Sequence, residues 1–326
     1  MNLPFRLRSP EELFARFFGA RPAAPAPLPS RPLPSAPAVT APQDQVALAP
    51  VGRALSSTFL QGLTQAVPPQ KVVFQKPVQL QAGVNMYTPQ NPIRANGQVD
   101  IVIQFRGDVP ARFSEGGVPA VVISAETEGL SGAMLEKFGQ ASFVPHIIEK
   151  AMARLRQQYG PDIQPGRLAL GSFSAGYAPL QVALANPAVR ERTDAVMVID
   201  GIHYGKAGQP NPEAHQPFVD FARAAARGEK MMVITHSAIQ PTYASSTDAA
   251  NHILSAAGAT RQPAPAESPH WANRFGERPA PETRADRGNF HVEGFKGNVA
   301  RSHVEQIDNL GNLWSRYLAP RWAEPR

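Results

Sequence analysis

The sequence predicts an α/β protein: a mostly parallel central sheet with helices on both faces, preceded by a Pro/Ala-rich N-terminal arm. Three observations lead there. From residue 71 onward, short β-rich apolar runs alternate with stretches of helical periodicity, the pattern of strands covered on both sides. Hydrophobic residues make up 43% of the 326 positions and charged residues 18%, enough apolar material for a large core. The 34 prolines crowd toward the start, eleven of them within the first 50 residues. That divides the chain into an arm, 1–70, and a body, 71–326.

In the arm, Ser9-Pro10-Glu11-Glu12 precedes Leu13, Phe14, Phe17 and Phe18. A capping serine, a proline at the first helical position and acidic residues at the positive dipole end predict a short amphipathic helix. Residues 21–50 then carry nine prolines and eight alanines, a composition that leans to polyproline II and reads as a tether. The arm is a candidate site for a protein partner.

In the body, strands are expected over Lys71–Phe74, Gln79–Tyr87, Val99–Phe105, Ala120–Ser124, Arg167–Leu170, Ala195–Asp200, Lys230–Thr235 and Asn289–Phe295. The later ones are short and apolar throughout, as strands buried on both faces are. Helices are expected over Ala133–Phe138, Pro145–Tyr159, Ala175–Ala185, Gln216–Arg227, Thr247–Ala257 and His303–Tyr317. The spacing of Ile147, Ile148, Ala151, Met152 and Leu155 gives the second of these a single buried face. A Pro-rich polar stretch at 260–288 exceeds the usual connection length and reads as an insertion over the sheet edge. Gly205–Pro217 reads as a lid or a long surface loop.

Charge and composition exclude several functions. Lys and Arg outnumber Asp and Glu by 32 to 26, a net +6 with no local basic cluster, which argues against a nucleic-acid partner. With no cysteine, the chain has no disulfide, iron–sulfur cluster, thiolate zinc site or cysteine nucleophile. No apolar run approaches the roughly 20 residues that span a bilayer, so a soluble protein without a membrane span is expected. The first twenty residues carry arginines and two glutamates where a secretion signal needs an apolar core of about 7 to 15 residues, which favours a cytoplasmic location.

The most informative segment is Arg167-Leu-Ala-Leu-Gly-Ser-Phe-Ser174-Ala-Gly176-Tyr177, an apolar run that meets small residues and then a helical stretch. A serine on a sharp strand-to-helix turn needs small neighbours two residues before and after, and Ser172 and Gly176 supply them. Such a turn projects the Ser174 hydroxyl from the sheet edge, with the Ala175 backbone N–H beside any developing oxyanion. A Gly/Ser-rich turn that merely caps a helix accounts for the small residues but not for the preceding strand.

On these residues the chain resembles the α/β-hydrolase superfamily over about 71–320, with Ser172 in place of the first glycine of Gly-x-Ser-x-Gly. The resemblance implies an α/β-hydrolase-like fold and a serine hydrolase of the esterase or lipase kind, acting on the carboxylic ester of a small molecule. It requires no cofactor and no metal. It also implies the order nucleophile, acid, base along the chain. The base is expected at His303, directly after the loop Lys296–Ser302 that follows the last strand, with His291 inside that strand as the lower-ranked alternative. The acid is expected at Asp200, ending Ala195–Ile199, with Asp248 as the alternative, although Ser246-Thr247-Asp248 also reads as a helix start. A second oxyanion donor is expected from the backbone of Asp108, or of Gly107, in the turn after Val99–Phe105, with the Asp108 side chain pointing away.

Two rivals remain at this level. Asp200, His203, His236 and His291 lie on or just past strand ends and are candidate ligands for a metal-dependent hydrolase. A hydrolase fold can also serve as a non-catalytic binding protein.

Overall fold

The computed structural model describes residues 70–266 and 271–323. The helix expected after Ser9 and the Pro/Ala tether lie outside the described residues. The main sheet is built from β1 (Val78–Gln81), β2 (Val84–Tyr87), β3 (Gln98–Phe105), β4 (Val121–Ala125), β5 (Gln164–Phe173), β6 (Thr193–Ile199), β9 (Met231–His236), β10 (Gln262–Pro263), β11 (Pro281–Arg287) and β12 (Phe290–Phe295). A separate two-stranded ribbon joins β7 (Gly205–Lys206) and β8 (Gln209–Pro210). The ten strands run in the order β1-β2-β4-β3-β5-β6-β9-β12-β11-β10. The six central strands, β4 through β12, are parallel, and antiparallel strands close both edges. The fold class expected from the sequence is the one observed.

Strand residues alternate between two cores. Along β3, Val99, Ile101, Ile103 and Phe105 face one core while Val102 faces the other. β6 divides the same way, with Val196 and Val198 on one side and Ala195, Met197 and Ile199 on the other. The first core is covered by helices Ser131–Phe138, Phe143–Tyr159, Tyr177–Ala185, Pro212–Ala226 and Ser246–Ala257. The second is covered by Pro110–Glu115 and the C-terminal helical run from Ala300 to Ala323. Burial on both faces is why these strands are apolar throughout rather than alternating with polar residues.

The structure departs from the expected elements at several places, and helices Pro110–Glu115 and Pro187–Arg192 were not expected. Lys71–Phe74 is not a strand, and only Phe74 bridges Pro89. Gln79–Tyr87 is two strands, because Gly83 adopts φ +74° and lets the chain reverse at Ala82-Gly83. Part of the 260–288 stretch belongs to the sheet itself: β11 pairs antiparallel with β12 through the turn at Gly288. Its sequence, PETRADR, buries only Ala285, so it lacks the apolar signal of the inner strands, and its charges and leading proline suit a strand near an edge. At 205–217 the chain forms the β7–β8 ribbon and then the start of a helix, with Lys206 bridging Tyr243.

Candidate active site

The chain runs from β3 to β4 on one side and, after two helices, returns to β5 on the other, so the order of strands reverses at β3. In an open α/β sheet the crevice beyond the carboxyl ends at such a reversal is where ligands bind. All four non-glycine residues with left-handed φ among the described residues sit on this rim: Arg106 (+63°) after β3, Ser174 (+51°) after β5, and Asp200 (+42°) and Ile202 (+72°) after β6. Left-handed backbone is costly for residues with a Cβ, most of all for β-branched ones, and persists where surrounding packing enforces it.

Ser174 follows an extended Phe173 and opens a helical turn, Ser174–Gly176, that continues into Tyr177–Ala185. Gly176 is required there, since a Cβ would come within 2.1 Å of the Phe105 carbonyl oxygen. Gly201 is required by the same close packing, since its Cβ would meet the Ser174 carbonyl oxygen at 2.9 Å. Ser172, in place of glycine, fits within β5 and is fully buried. Ser174 is 5% exposed, and it borders a cleft of about 170 Å³ lined also by Leu130, Ser131, Ala175, Tyr177, His203 and Tyr243.

Phe173 and Ile199 are paired in register on β5 and β6, so Ser174 and Asp200 leave the sheet side by side. Asp200 is buried, and every hydrogen bond to it is local to this rim. Oδ2 accepts from the Ser237 hydroxyl at 2.7 Å and lies 2.8 Å from His303 Nδ1. Oδ1 accepts from the Ser237 N–H at 3.0 Å and from the Ser246 hydroxyl. Burial by itself would raise the Asp200 pKa, but the hydrogen bond and charge of His303, with those of Ser246 and Ser237, outweigh it and hold the carboxyl well below the usual range. His303 is buried in helix Ala300–Asp308, one turn past its start, and its ring stacks on that of Phe173, the neighbour of Ser174, at 4.8 Å.

The turn after β3 packs against the same rim. A Cβ on Gly107 would come within 2.7 Å of Ile307 and 3.6 Å of the Phe173 Cβ. The Gly107 N–H donates to Glu126 Oε2 at 2.8 Å, which leaves Asp108 as the better-placed main-chain candidate of the two. The Asp108 carboxylate accepts from the Tyr87 hydroxyl at 2.6 Å and from Asn85 Nδ2 at 3.2 Å, and so is held toward β2. Ala175 lies in the first helical turn after Ser174.

The remaining candidates stand apart. Asp248 forms a capping box with Ser245 at the start of helix Ser246–Ala257, a structural duty. His291 lies across from Asp286 in the β11–β12 pair and bonds to it at 2.5 Å. His236 ends β9, with Nδ1 2.9 Å from Thr247 Oγ1 and its ring against Gly294. Asp200, His203, His236 and His291 therefore do not converge, and among the described residues no group of three or more such side chains is arranged to hold a metal ion. No described helix is long and apolar enough to cross a membrane.

The sequence reading did not single out Ser237 and Ser246 as partners of Asp200, or Glu126 as the anchor of the turn after β3. A serine carries no pattern of its own, and these contacts join positions 37 and 46 residues apart from Asp200. Gly201, directly after the acid, was the one available sign of close packing there.

No family model matches this chain, and no curated protein matches it. Among solved structures it is similar to a feruloyl esterase module from Clostridium thermocellum in complex with sinapinate, at 13% identity over 77% of this chain and 90% of that one, with a TM-score of 0.40. It is similar to the enterobactin esterase of Shigella flexneri at 12% identity, over 76% and 60% of the two chains, TM-score 0.42. It is also similar to an acylaminoacyl peptidase from Pyrococcus horikoshii at 11% identity, over 78% and 43%, TM-score 0.44. The chain spans less than two thirds of the length of the last two.

Proposed function

We propose that the protein is a serine hydrolase that cleaves a carboxylic ester of a small molecule, with Ser174 as nucleophile, His303 as general base and acid, and Asp200 as the group that orients the imidazole. The observation that carries this reading is the buried 2.8 Å contact between Asp200 Oδ2 and His303 Nδ1, beside the strained turn of Ser174. The ester as substrate follows from the resemblance to α/β-hydrolases.

In this mechanism Asp200 accepts a hydrogen bond from His303 Nδ1–H, which fixes the tautomer with its basic nitrogen at Nε2. His303 takes the Ser174 proton as Oγ attacks the acyl carbonyl. The negative charge that develops on the carbonyl oxygen meets the N–H groups of Ala175 and Asp108. The tetrahedral intermediate collapses, the C–O bond to the alcohol breaks, and His303 returns the proton to the leaving oxygen. Water, deprotonated by the same imidazole, then attacks the acyl-enzyme and releases the acid, restoring Ser174. The ionised Asp200, kept charged by its hydrogen bonds, stabilises the imidazolium formed in both halves.

A fluorophosphonate probe tests the reading. Wild-type protein is expected to label at Ser174 and to hydrolyse nitrophenyl esters, and Ser174→Ala is expected to lose labelling and at least about a thousandfold in kcat with an unchanged melting temperature. A folded wild-type protein that neither labels nor hydrolyses any ester would replace this reading with that of a non-catalytic binding protein.

A further inference from the structure

The turn after β3 is gripped by side chains that do not line the cleft. Arg106 and Gly107 both adopt left-handed φ, +63° and +88°, and carry the chain round to Asp108, the second main-chain donor of the mechanism above. A residue with a Cβ stays in that conformation only where its surroundings over-determine it. Here they do. The Arg106 N–H extends the β3–β4 ladder by donating to the Ala125 carbonyl at 2.9 Å. The Arg106 carbonyl accepts from Gln104 Nε2 at 2.8 Å, and Arg106 Nη1 donates to the Gly129 carbonyl at 2.8 Å, just before Leu130 and Ser131 of the cleft. The next N–H, that of Gly107, donates to Glu126 Oε2 at 2.8 Å.

Two of these partners have no other evident reason to be polar. Gln104 is fully buried in β3, on the face where Val102 enters the second core, a position that doubly covered strands fill with apolar residues. Its register partner on β5 is Gly171, where a Cβ would lie 2.1 Å from Gln104 Oε1, so the strand leading to Ser174 leaves room for this amide. Among the described residues Oε1 accepts no hydrogen bond. A buried acceptor left unmade costs stability that an apolar side chain of the same shape would not, and what the amide adds is its bond to the turn. Glu126 follows β4 directly, and its own N–H donates to the Gly83 carbonyl at 2.8 Å, so the β1–β2 hairpin fixes the residue that fixes the turn.

We propose that Glu126 and Gln104 are positioning residues for ester hydrolysis: by holding the Gly107 N–H and the Arg106 carbonyl, they keep the Asp108 N–H aimed at the place where the oxyanion forms. This rests on the serine-hydrolase reading above, and the experiment separates the two. An oxyanion donor acts on the transition state rather than on the bound ester, so loosening its turn lowers kcat and leaves KM in place.

The test measures kcat and KM for a nitrophenyl ester, inhibition by a trifluoromethyl ketone, whose adduct with the serine carries an oxyanion, and the melting temperature. Glu126→Leu is expected to lower kcat about a hundredfold with KM within about threefold, and to weaken the ketone by a similar factor. Glu126→Gln, which keeps an acceptor for the Gly107 N–H, is expected to lose only about fivefold. Gln104→Met, similar in shape but without the donor, is expected to lose about tenfold in kcat at a nearly unchanged melting temperature. Active wild-type protein with a folded Glu126→Leu variant that keeps kcat within twofold, loses only in KM, or binds the ketone as tightly as wild type would overturn the positioning role and leave the serine mechanism in place. Should Glu126→Leu not fold, the same criteria apply to Gln104→Met. Folded wild-type protein that neither hydrolyses esters nor labels with a fluorophosphonate would overturn the mechanism and the positioning role with it.

Discussion

Among the described residues, two histidine–aspartate hydrogen bonds of similar length lie in very different settings. At the carboxyl rim of the sheet, His303 meets Asp200 at 2.8 Å with side chains 3% and 1% exposed. At the β11–β12 edge, His291 meets Asp286 at 2.5 Å with side chains 16% and 43% exposed. The second pair is slightly shorter, so distance does not distinguish them. The surroundings do. Asp200 is saturated by two serine hydroxyls and a main-chain N–H, beside the Ser174 turn and away from water, whereas Asp286 shares its charge with Arg284 at 2.8 Å and faces solvent. A His–Asp contact across neighbouring strands is an ordinary cross-strand pair. What marks the other is its burial, its full complement of donors and its place at the carboxyl rim of the parallel strands, just after β6.

The sharpest way to break this comparison is to neutralise each acid. Asp200→Asn is expected to cost about ten-thousandfold in kcat, because an amide no longer selects the productive tautomer of His303. Asp286→Asn is expected to leave kcat within about twofold and to cost less than about 1 kcal/mol of stability, as for other exposed pairs. Equal losses in ester hydrolysis assays of the two variants would show that burial does not set the difference.

The next effect is on stability. Burial lowers the pKa of His203, His215 and His236 from the usual 6.5 to about 4. Between those values the unfolded chain binds protons that the folded one refuses, so stability is complete above pH 6.5 and falls as the pH drops toward 4. Asp200 adds a loss further down: its carboxyl is held below the usual range, so its contribution is present above the unfolded pKa and disappears as pH falls through the folded value. Urea denaturation across pH 4 to 7 should show a midpoint that falls steeply as the pH drops. A flat profile would contradict the neutral burial of the three rings.

The smallest effect sharpens the role of the donors. Ser246→Ala removes one hydrogen bond from the Asp200 carboxylate and is expected to lower kcat about tenfold, with the acidic limb of the pH–rate profile moved upward. The same substitution at Ser245, which serves the helix cap, should lower the melting temperature without moving that limb. A pH profile unmoved by Ser246→Ala would reduce it to a packing residue.

Much of the fold was legible because local pattern decides local structure. The apolar run into Ser172-Phe-Ser-Ala-Gly176 specified strand, sharp turn and helix within eleven residues, and the doubly buried strands announced themselves as continuous apolar runs. The edges were less legible. β11 carries no periodic apolar signal because only Ala285 of it is buried, and the hairpin at Gly83 interrupts what otherwise reads as one strand.

By itself, then, the sequence determined the α/β class, the turn that holds Ser174 and the chain order of Ser174, Asp200 and His303. Tertiary structure alone decided which hydroxyls cradle Asp200, which of two histidines shares a buried aspartate, and how His203 comes to wall the cleft. The physical reason is range. Strands, turns and helices arise from neighbours a few residues apart, whereas the contact of Asp200 with His303 spans 103 residues and forms only when the sheet brings the ends of β6, β9 and β12 side by side.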